Sequence, residues 1–145
     1  MLVIRNVKPT DIFAVIKLSY ETLTERYSPN LFNYFYETFQ QGFLVAEKDG
    51  KIIGFIIGIK TASDHVRILM LGVSTNHRKK KVGTNLIKRF FEIMYENKVG
   101  KIDLEVRTNN DIAIQFYKKM GFDIVDVIPM FYQSGEDAYT MSKIL

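Results

Sequence analysis

The stretch VSTNHRKKKVGT, from Val73 to Thr84, reads as the end of a strand, a basic turn and the opening of a helix. Such a junction points several backbone N–H groups that lack helical partners at one spot, and the helix dipole adds positive character there, so it suits a phosphate. Six cations, Arg78, Lys79, Lys80, Lys81, Lys88 and Arg89, fall between positions 78 and 89 with no acidic residue among them. The whole chain carries only +4, so the remainder is −2 and the positive charge belongs to one segment. That pattern fits one anionic partner held at one place, not a general nucleic-acid or membrane coat. The turn is neither G-x-x-x-x-G-K-[ST] nor G-x-G-x-x-G, which takes support from ATPase and dinucleotide readings. On these residues alone, an anion site and the plainer reading, a solvated basic loop or a nucleic-acid contact, stand as equal alternatives.

Other chemistries are excluded by what the chain lacks. With no cysteine there are no disulfides, thiolate metal sites or cysteine nucleophiles, and His65 and His77 are the only imidazoles. Neither histidine looks like a metal ligand, so no metal is expected and the chemistry must lean on carboxylates, tyrosines and backbone. The longest apolar stretch, Ile52 to Ile59, is broken by Gly54 and Gly58 and bounded by Lys51 and Lys60, too short to cross a bilayer. The start, MLVIRNVKPTD, has no secretory core, and a cytoplasmic location is expected. At 145 residues, 47% apolar and 25% charged, the composition is that of one domain over residues 1–145.

The elements that must position such a site follow from periodicity. Met1 to Val7 reads as a strand, and Thr10 or Asp11 can cap a helix that carries Ile12, Val15 and Ile16. A second helix follows Pro29, with Leu31, Phe32, Phe35 and Phe39 as its apolar stripe. Phe43–Glu47 and Lys51–Lys60 flank Asp49-Gly50, a pair suited to a tight hairpin, and Val66–Val73 adds a strand. The period then changes: Leu86, Ile87, Phe90, Phe91, Ile93 and Met94 make a helix face, and Ile102–Val106 is a short strand. Asp111–Met120 fits a fourth helix, with Asn110 or Asp111 at its start and Gly121 as a left-handed cap. Strands around Phe122–Val127 and Ala138–Ile144 complete the order β-α-α-β-β-β-α-β-α-β-β. This is an α/β or α+β arrangement, a mixed seven-stranded sheet with about four helices and one crossover between Val73 and Gly100.

Several of these segments resemble the GNAT acetyltransferase superfamily, whose acetyl-CoA loop reads R/Q-x-x-G-x-G/A after the fourth strand. Here the matching run is Arg78-Lys79-Lys80-Lys81-Val82-Gly83, with Lys81 where the first glycine is usual. The resemblance is sharpest to the N-terminal (protein α-amine) acetyltransferases, of the bacterial ribosomal-alanine type and the archaeal and eukaryotic A-type. It is carried by IRNVKPTD at the start, LTERY at Leu23–Tyr27, LEVRTNN at Leu104–Asn110, FYKKMGF at Phe116–Phe122 and GEDAYTM at Gly135–Met141. It implies acetyl-CoA as cosubstrate and direct transfer to a protein or peptide N-terminus, with ribosomal proteins among the substrates and an auxiliary subunit or homodimer as the partner. A membrane partner is not implied.

By the same resemblance, Leu71, Gly72 and Val73 run along the pantetheine, and Arg78, Lys79, Lys80, Lys81, Val82, Gly83 and Thr84 take the pyrophosphate. Asn110 contacts the cofactor. Glu105 matches the proton acceptor for the incoming amine and Tyr117 the donor to the departing thiolate, while Glu25 is a second candidate base that the sequence does not rank against Glu105. Tyr27, Phe131, Tyr132 and Tyr139 line the peptide groove, although Phe131 lacks a hydroxyl that the family commonly carries.

The choice of amine has a physical argument. An α-amine titrates at about 7.7–8.0 and a lysine at about 10.4, so deprotonating lysine costs roughly 3.4 kcal/mol more. A carboxylate is a modest base and suits the α-amine better. A small-molecule amine acetyltransferase, and a noncatalytic nucleotide- or nucleic-acid-binding module, are the alternatives.

Overall fold

In the computed structural model, which describes Met1 to Leu145, alternation and helical spacing resolve into the expected element order. The strands are β1 (Leu2–Asn6), β2 (Phe43–Lys48), β3 (Lys51–Ala62), β4 (His65–Val73), β5 (Lys101–Arg107), β6 (Asp123–Ile128) and β7 (Ala138–Ile144). The helices are α1 (Ile12–Thr22), α2 (Pro29–Thr38), α3 (Val82–Glu96) and α4 (Asp111–Lys119). One sheet holds all seven strands in the order β1-β2-β3-β4-β5-β7-β6. β1 to β4 form an antiparallel meander. Asp49 and Gly50 turn between β2 and β3 with φ of 51° and 77°, the left-handed pair that a two-residue hairpin requires.

β4 and β5 are parallel and joined across one face by α3. A second crossover, β5-α4-β6, adds to the single one expected, because β7 inserts between β5 and β6 antiparallel to both. No helix is long and apolar enough to cross a membrane.

Each face of the sheet has its own core. α1 and α2 lay Val15, Phe32 and Phe35 on Phe43, Val45, Phe55 and Ile57. On the other face Leu86, Ile87, Phe90 and Met94 of α3 pack on Ala46, Ile56, Val66 and Ile102. Full burial of each such side chain stabilises by about 1.5–3 kcal/mol. In the α2 stripe, Phe32, Phe35 and Phe39 are buried as expected, but Leu31 is 38% exposed.

The feature that shapes the site lies in β4. Its register against β3 skips Leu69: Ile57 faces Met70 while Gly58 faces Ile68. This β-bulge breaks the alternation, so Val66 and Ile68 join the α3 core whereas Met70 joins the α1–α2 core. Gly72 follows on the α1 side, where a Cβ would meet Phe55 and Thr22 Oγ1, both at 2.7 Å. The bulge bends and twists β4 just where β4–β5 pairing stops. Only His65–Lys101, Val66–Ile102 and Arg67–Asp103 are in register, and beyond them the strands part.

Asp11 does not cap α1 with its side chain. A 3-10 turn, Pro9–Asp11, precedes the helix, and the Asp11 carboxylate accepts the Lys8 N–H at 2.7 Å and both Arg5 terminal nitrogens at 2.7 and 3.1 Å. Arg5 also reaches Glu47 at 2.7 Å, which ties β1, β2 and the entry to α1 together. Hydrogen bonding to Arg5 holds the Asp11 carboxyl below the usual range.

Candidate active site

The parting of β4 and β5 leaves a cleft of about 310 Å³. β4 contributes Leu69, Met70 and Leu71; β5 contributes Glu105, Val106 and Arg107; and the segment after α1 contributes Leu23, Thr24, Glu25 and Tyr27. Asn110, Ala113 and Tyr117 enter from the start and middle of α4, and Tyr132 from the β6–β7 connection. The cleft shares seven of these residues with a wider groove of about 790 Å³, walled by Arg26, Phe131, Gln133 and Ser134. The fold therefore gathers Glu25, Tyr27, Leu71, Glu105, Asn110, Tyr117 and Tyr132 in one place, with Phe131 on the outer wall.

Glu105 and Tyr117 come from opposite sides of the sheet. Leu104 and Val106, the neighbours of Glu105, point into the α3–α4 core, so alternation sends Glu105 toward the α1–α2 side. Tyr117 packs edge-on to Phe116 and Phe122, with centroids at 5.3 and 5.6 Å, on the α3–α4 side. The gap between β4 and β5 is where the two sides communicate.

Burial sets the proton affinities. The Glu105 side chain is 13% exposed, and desolvation pushes its carboxyl up, with Arg67 opposing and Asp103 adding to the rise. Desolvation, with a contribution from Tyr132, pushes the Tyr117 phenol up to about 12. Tyr132 is pushed up to about 12 by burial and by Glu25, against the pull of Arg107. Tyr27 is raised by burial and then by Glu25 and Glu105. All three phenols therefore keep their protons near neutral pH.

Glu25 is committed elsewhere. Its carboxylate is paired with Arg107 and accepts the Thr24 hydroxyl at 2.9 Å. Arg107 also donates to Glu136 at 2.9 Å and to Thr24 Oγ1 at 3.0 Å, and its guanidinium lies 4.0 Å from the centre of the Tyr132 ring. Neither Arg107 nor Arg67 stands out in the sequence; the signal was the two-residue spacing of Asp103, Glu105 and Arg107, which puts all three on one face of a strand.

The basic turn sits at the N-terminus of α3. Lys79 and Lys81 take φ of 63° and 64°, so Lys81 adopts the left-handed backbone that a glycine would take more cheaply. The first helical bond of α3 runs from Asn85 N–H to the Lys81 carbonyl at 2.9 Å, leaving the N–H groups of Val82, Gly83 and Thr84 without helical acceptors. A Cβ at Gly83 would meet nothing nearer than Val73 Cγ2 at 3.7 Å, so packing does not demand glycine there, and its absence leaves the backbone open to approach. These features fit a diphosphate. The Val82 side chain is 4% exposed and belongs to the core, and Arg78 Nε donates to the Val73 carbonyl at 3.2 Å, closing the strand end. Gly72 has a packing reason of its own in Phe55 and Thr22.

Tyr139 and Asn110 have engagements of their own. Tyr139 lines neither the cleft nor the groove: it pairs with Val106 and Val127 and packs on the α3–α4 core, because that position of β7 faces away from the peptide side. Asn110 borders the cleft, but its side-chain oxygen accepts the Ala113 N–H at 3.2 Å and so caps α4. No cluster of three or more His, Cys, Asp or Glu side chains gathers as for a metal.

A splayed parallel pair, a helix start after β4 with N–H groups free for an anion, and a partly buried carboxyl and phenol lining the gap suit group transfer from a phosphate-bearing donor. The model of the acetyltransferase (GNAT) family matches residues 12–122, and the chain belongs to that family. It is therefore an acetyltransferase with acetyl-CoA as donor, which removes the noncatalytic alternative. The chain is 32% identical to the N-alpha-acetyltransferase of Sulfurisphaera tokodaii over 98% of its own length and 92% of the relative's. Ard1 of Thermoplasma volcanium superposes with a TM-score of 0.95 at 36% identity, covering 99% of this chain and 97% of that one. Naa20 of Chaetomium thermophilum, solved with a bisubstrate analogue, gives 0.88 at 29% identity over 99% and 86%.

Proposed function

We propose that the protein transfers the acetyl group of acetyl-CoA to the N-terminal α-amine of a protein or peptide by direct attack, with Glu105 as proton acceptor and Tyr117 as proton donor. The observation that carries this reading is that the Glu105 carboxyl and the Tyr117 phenol line one gap between β4 and β5 from opposite sides of the sheet. The N–H groups of Val82, Gly83 and Thr84 hold the diphosphate, and the unpaired edge of β4 from Leu71 to Val73 takes the pantetheine and polarises the thioester carbonyl.

The Glu105 carboxylate takes the proton from the ammonium, and the neutral amine forms the C–N bond as the C–S bond breaks. Tyr117 gives its proton to the sulfur, and the second proton, shed by the nitrogen as it becomes an amide, restores the phenol through water, since a group titrating at about 12 takes a proton readily. Glu105 is the better base of the two candidates, since Glu25 is held by Arg107 and Thr24. Tyr27, Phe131 and Tyr132 line the approach of the peptide. The groove of about 790 Å³ leaves room for residues beyond the first, which favours a peptide over a small amine. Ribosomal proteins fall within this substrate class, and the relatives named N-alpha-acetyltransferase support the choice of amine.

Mass spectrometry of peptides beginning Ala, Ser, Met-Leu and Met-Glu, incubated with acetyl-CoA beside a polyamine, tests the proposal. Acetyl on the α-amine of at least one peptide is expected; turnover of the polyamine alone would contradict it.

A further inference from the structure

Arg67 sits on β4 at the last rung before the strands part, opposite Asp103. Its Nε lies 3.1 Å from Glu105 Oε2, yet that N–H has no acceptor in hydrogen-bond geometry and is shielded from solvent. The contact is therefore one of charge and not of direction. It engages one carboxylate oxygen, and alternation with Val66 and Ile68, which face the α3–α4 core, turns Arg67 to the α1–α2 side of the sheet, the side Glu105 faces.

The other charged and titratable groups around Glu105 do not take this role. Asp103, two residues earlier on β5, is a like charge, engaged by the Ser142 hydroxyl and 3.9 Å from Lys101. Arg107, two residues later, is occupied by Glu25, Glu136 and the Tyr132 face. Glu25 and Tyr27 from the α1–α2 segment, Tyr132 from the β6–β7 connection and Tyr117 from α4 supply no positive charge.

We propose that Arg67 is a positioning residue for acetyl transfer: its guanidinium, lying against one oxygen of Glu105, keeps that carboxylate ionised in a desolvated cleft and leaves the other oxygen for the incoming amine. The inference rests on Glu105 being the base. The direction follows from electrostatics: a cation beside a carboxylate favours the charged form, and a half-exposed cation does so less than a buried one. Because no directed hydrogen bond is involved, a lysine at position 67 does the same work as a point charge.

The test compares wild type with Arg67→Gln, Arg67→Lys and Glu105→Gln, reading the Glu105 carboxyl titration by 13C NMR and kcat/KM for an Ala-starting peptide between about pH 6 and about pH 9. The substrate amine titrates alike for every variant and cancels in the ratio to wild type. Arg67→Gln is expected to move the Glu105 midpoint upward and to lower kcat/KM at least about threefold more at the acid end than at the alkaline end. Arg67→Lys is expected to restore both. An unmoved midpoint and a flat ratio in Arg67→Gln, beside a Glu105→Gln variant that has lost activity, overturn the role of Arg67 and leave Glu105 standing. Full activity of Glu105→Gln at every pH overturns the base assignment and the inference with it.

Discussion

Arg107 grips the Glu25 carboxylate while its guanidinium stacks 4.0 Å from the centre of the Tyr132 ring. One side chain at the end of β5 thus ties the segment after α1 to the β6–β7 connection, and these two segments wall the groove beside the cleft. Glu136 strengthens the tie, since it accepts from Asn109 and Ser134 as well as from Arg107, all at 2.9 Å. The relationship is geometric before it is energetic, because partly exposed ion pairs contribute little to stability by themselves.

Arg107→Ala should therefore cost the reaction more than the fold. Both groove walls lose a common anchor, and misplacement of substrate by about an ångström can lower rates about a hundredfold. The expected result is a fall in kcat/KM for peptide of about ten- to a hundredfold, shared between a raised KM and a lowered kcat. Thermal stabilisation by acetyl-CoA should stay as in wild type. A variant with unchanged KM for peptide would show that the walls hold without the anchor.

The proton donor has its own signature. Tyr117 sits well above neutral pH, so turnover should not decline through loss of its proton until the pH approaches about 12. Tyr117→Phe removes the donor without opening the core and should lower kcat about a hundredfold, within the range of general acid catalysis, with acetyl-CoA affinity unchanged. Steady-state kinetics alongside calorimetric titration checks both halves.

Much of this was legible in the sequence, and for identifiable reasons. Asp49-Gly50, Gly121 and the apolar spacing of α3 are local signals, and the structure places them as turn, cap and core face. The insertion of β7 between β5 and β6 is not local and left no mark in either segment. The bulge at Leu69 was hidden as well, because alternation in HVRILMLGV reads continuously until pairing with β3 is known. The place of Tyr139 was hidden on the same ground: which face of β7 it occupies depends on pairing with β5. Arg67 was invisible because a cation on a strand gains meaning only from the carboxylate across from it, and Arg107 offered only its spacing from Glu105.

The diphosphate turn carries a strained backbone at Lys81. A residue with a Cβ at φ 64° costs about 1–2 kcal/mol that glycine does not. Glycine loses more freedom on folding, which offsets part of that relief. Lys81→Gly is thus expected to change unfolding free energy by less than about 1 kcal/mol. Its acetyl-CoA affinity should stay within about tenfold of wild type, since the backbone N–H groups remain. Complete loss of acetyl-CoA binding would place the diphosphate elsewhere.

Stability should respond to acid through Asp11. The Arg5 hydrogen bonds hold its carboxyl below the ordinary value, so the folded state binds that proton less readily than the unfolded one. The contribution is fully present above about pH 4 and is lost as the pH falls through the lowered folded value. Asp11→Asn should destabilise by about 1–3 kcal/mol at neutral pH and flatten the fall in stability below about pH 4. Urea midpoints across that range give the answer directly.

The claim on which all of this turns is that donor and amine meet in the gap between β4 and β5. A crystal structure with a coenzyme A–peptide bisubstrate conjugate tests it most directly. The diphosphate is expected at the N–H groups of Val82, Gly83 and Thr84, the joining acetyl carbon between Glu105 and Tyr117, and the peptide running out past Tyr27 and Tyr132. A conjugate bound on another face, or with its acetyl carbon out of reach of both Glu105 and Tyr117, would contradict it.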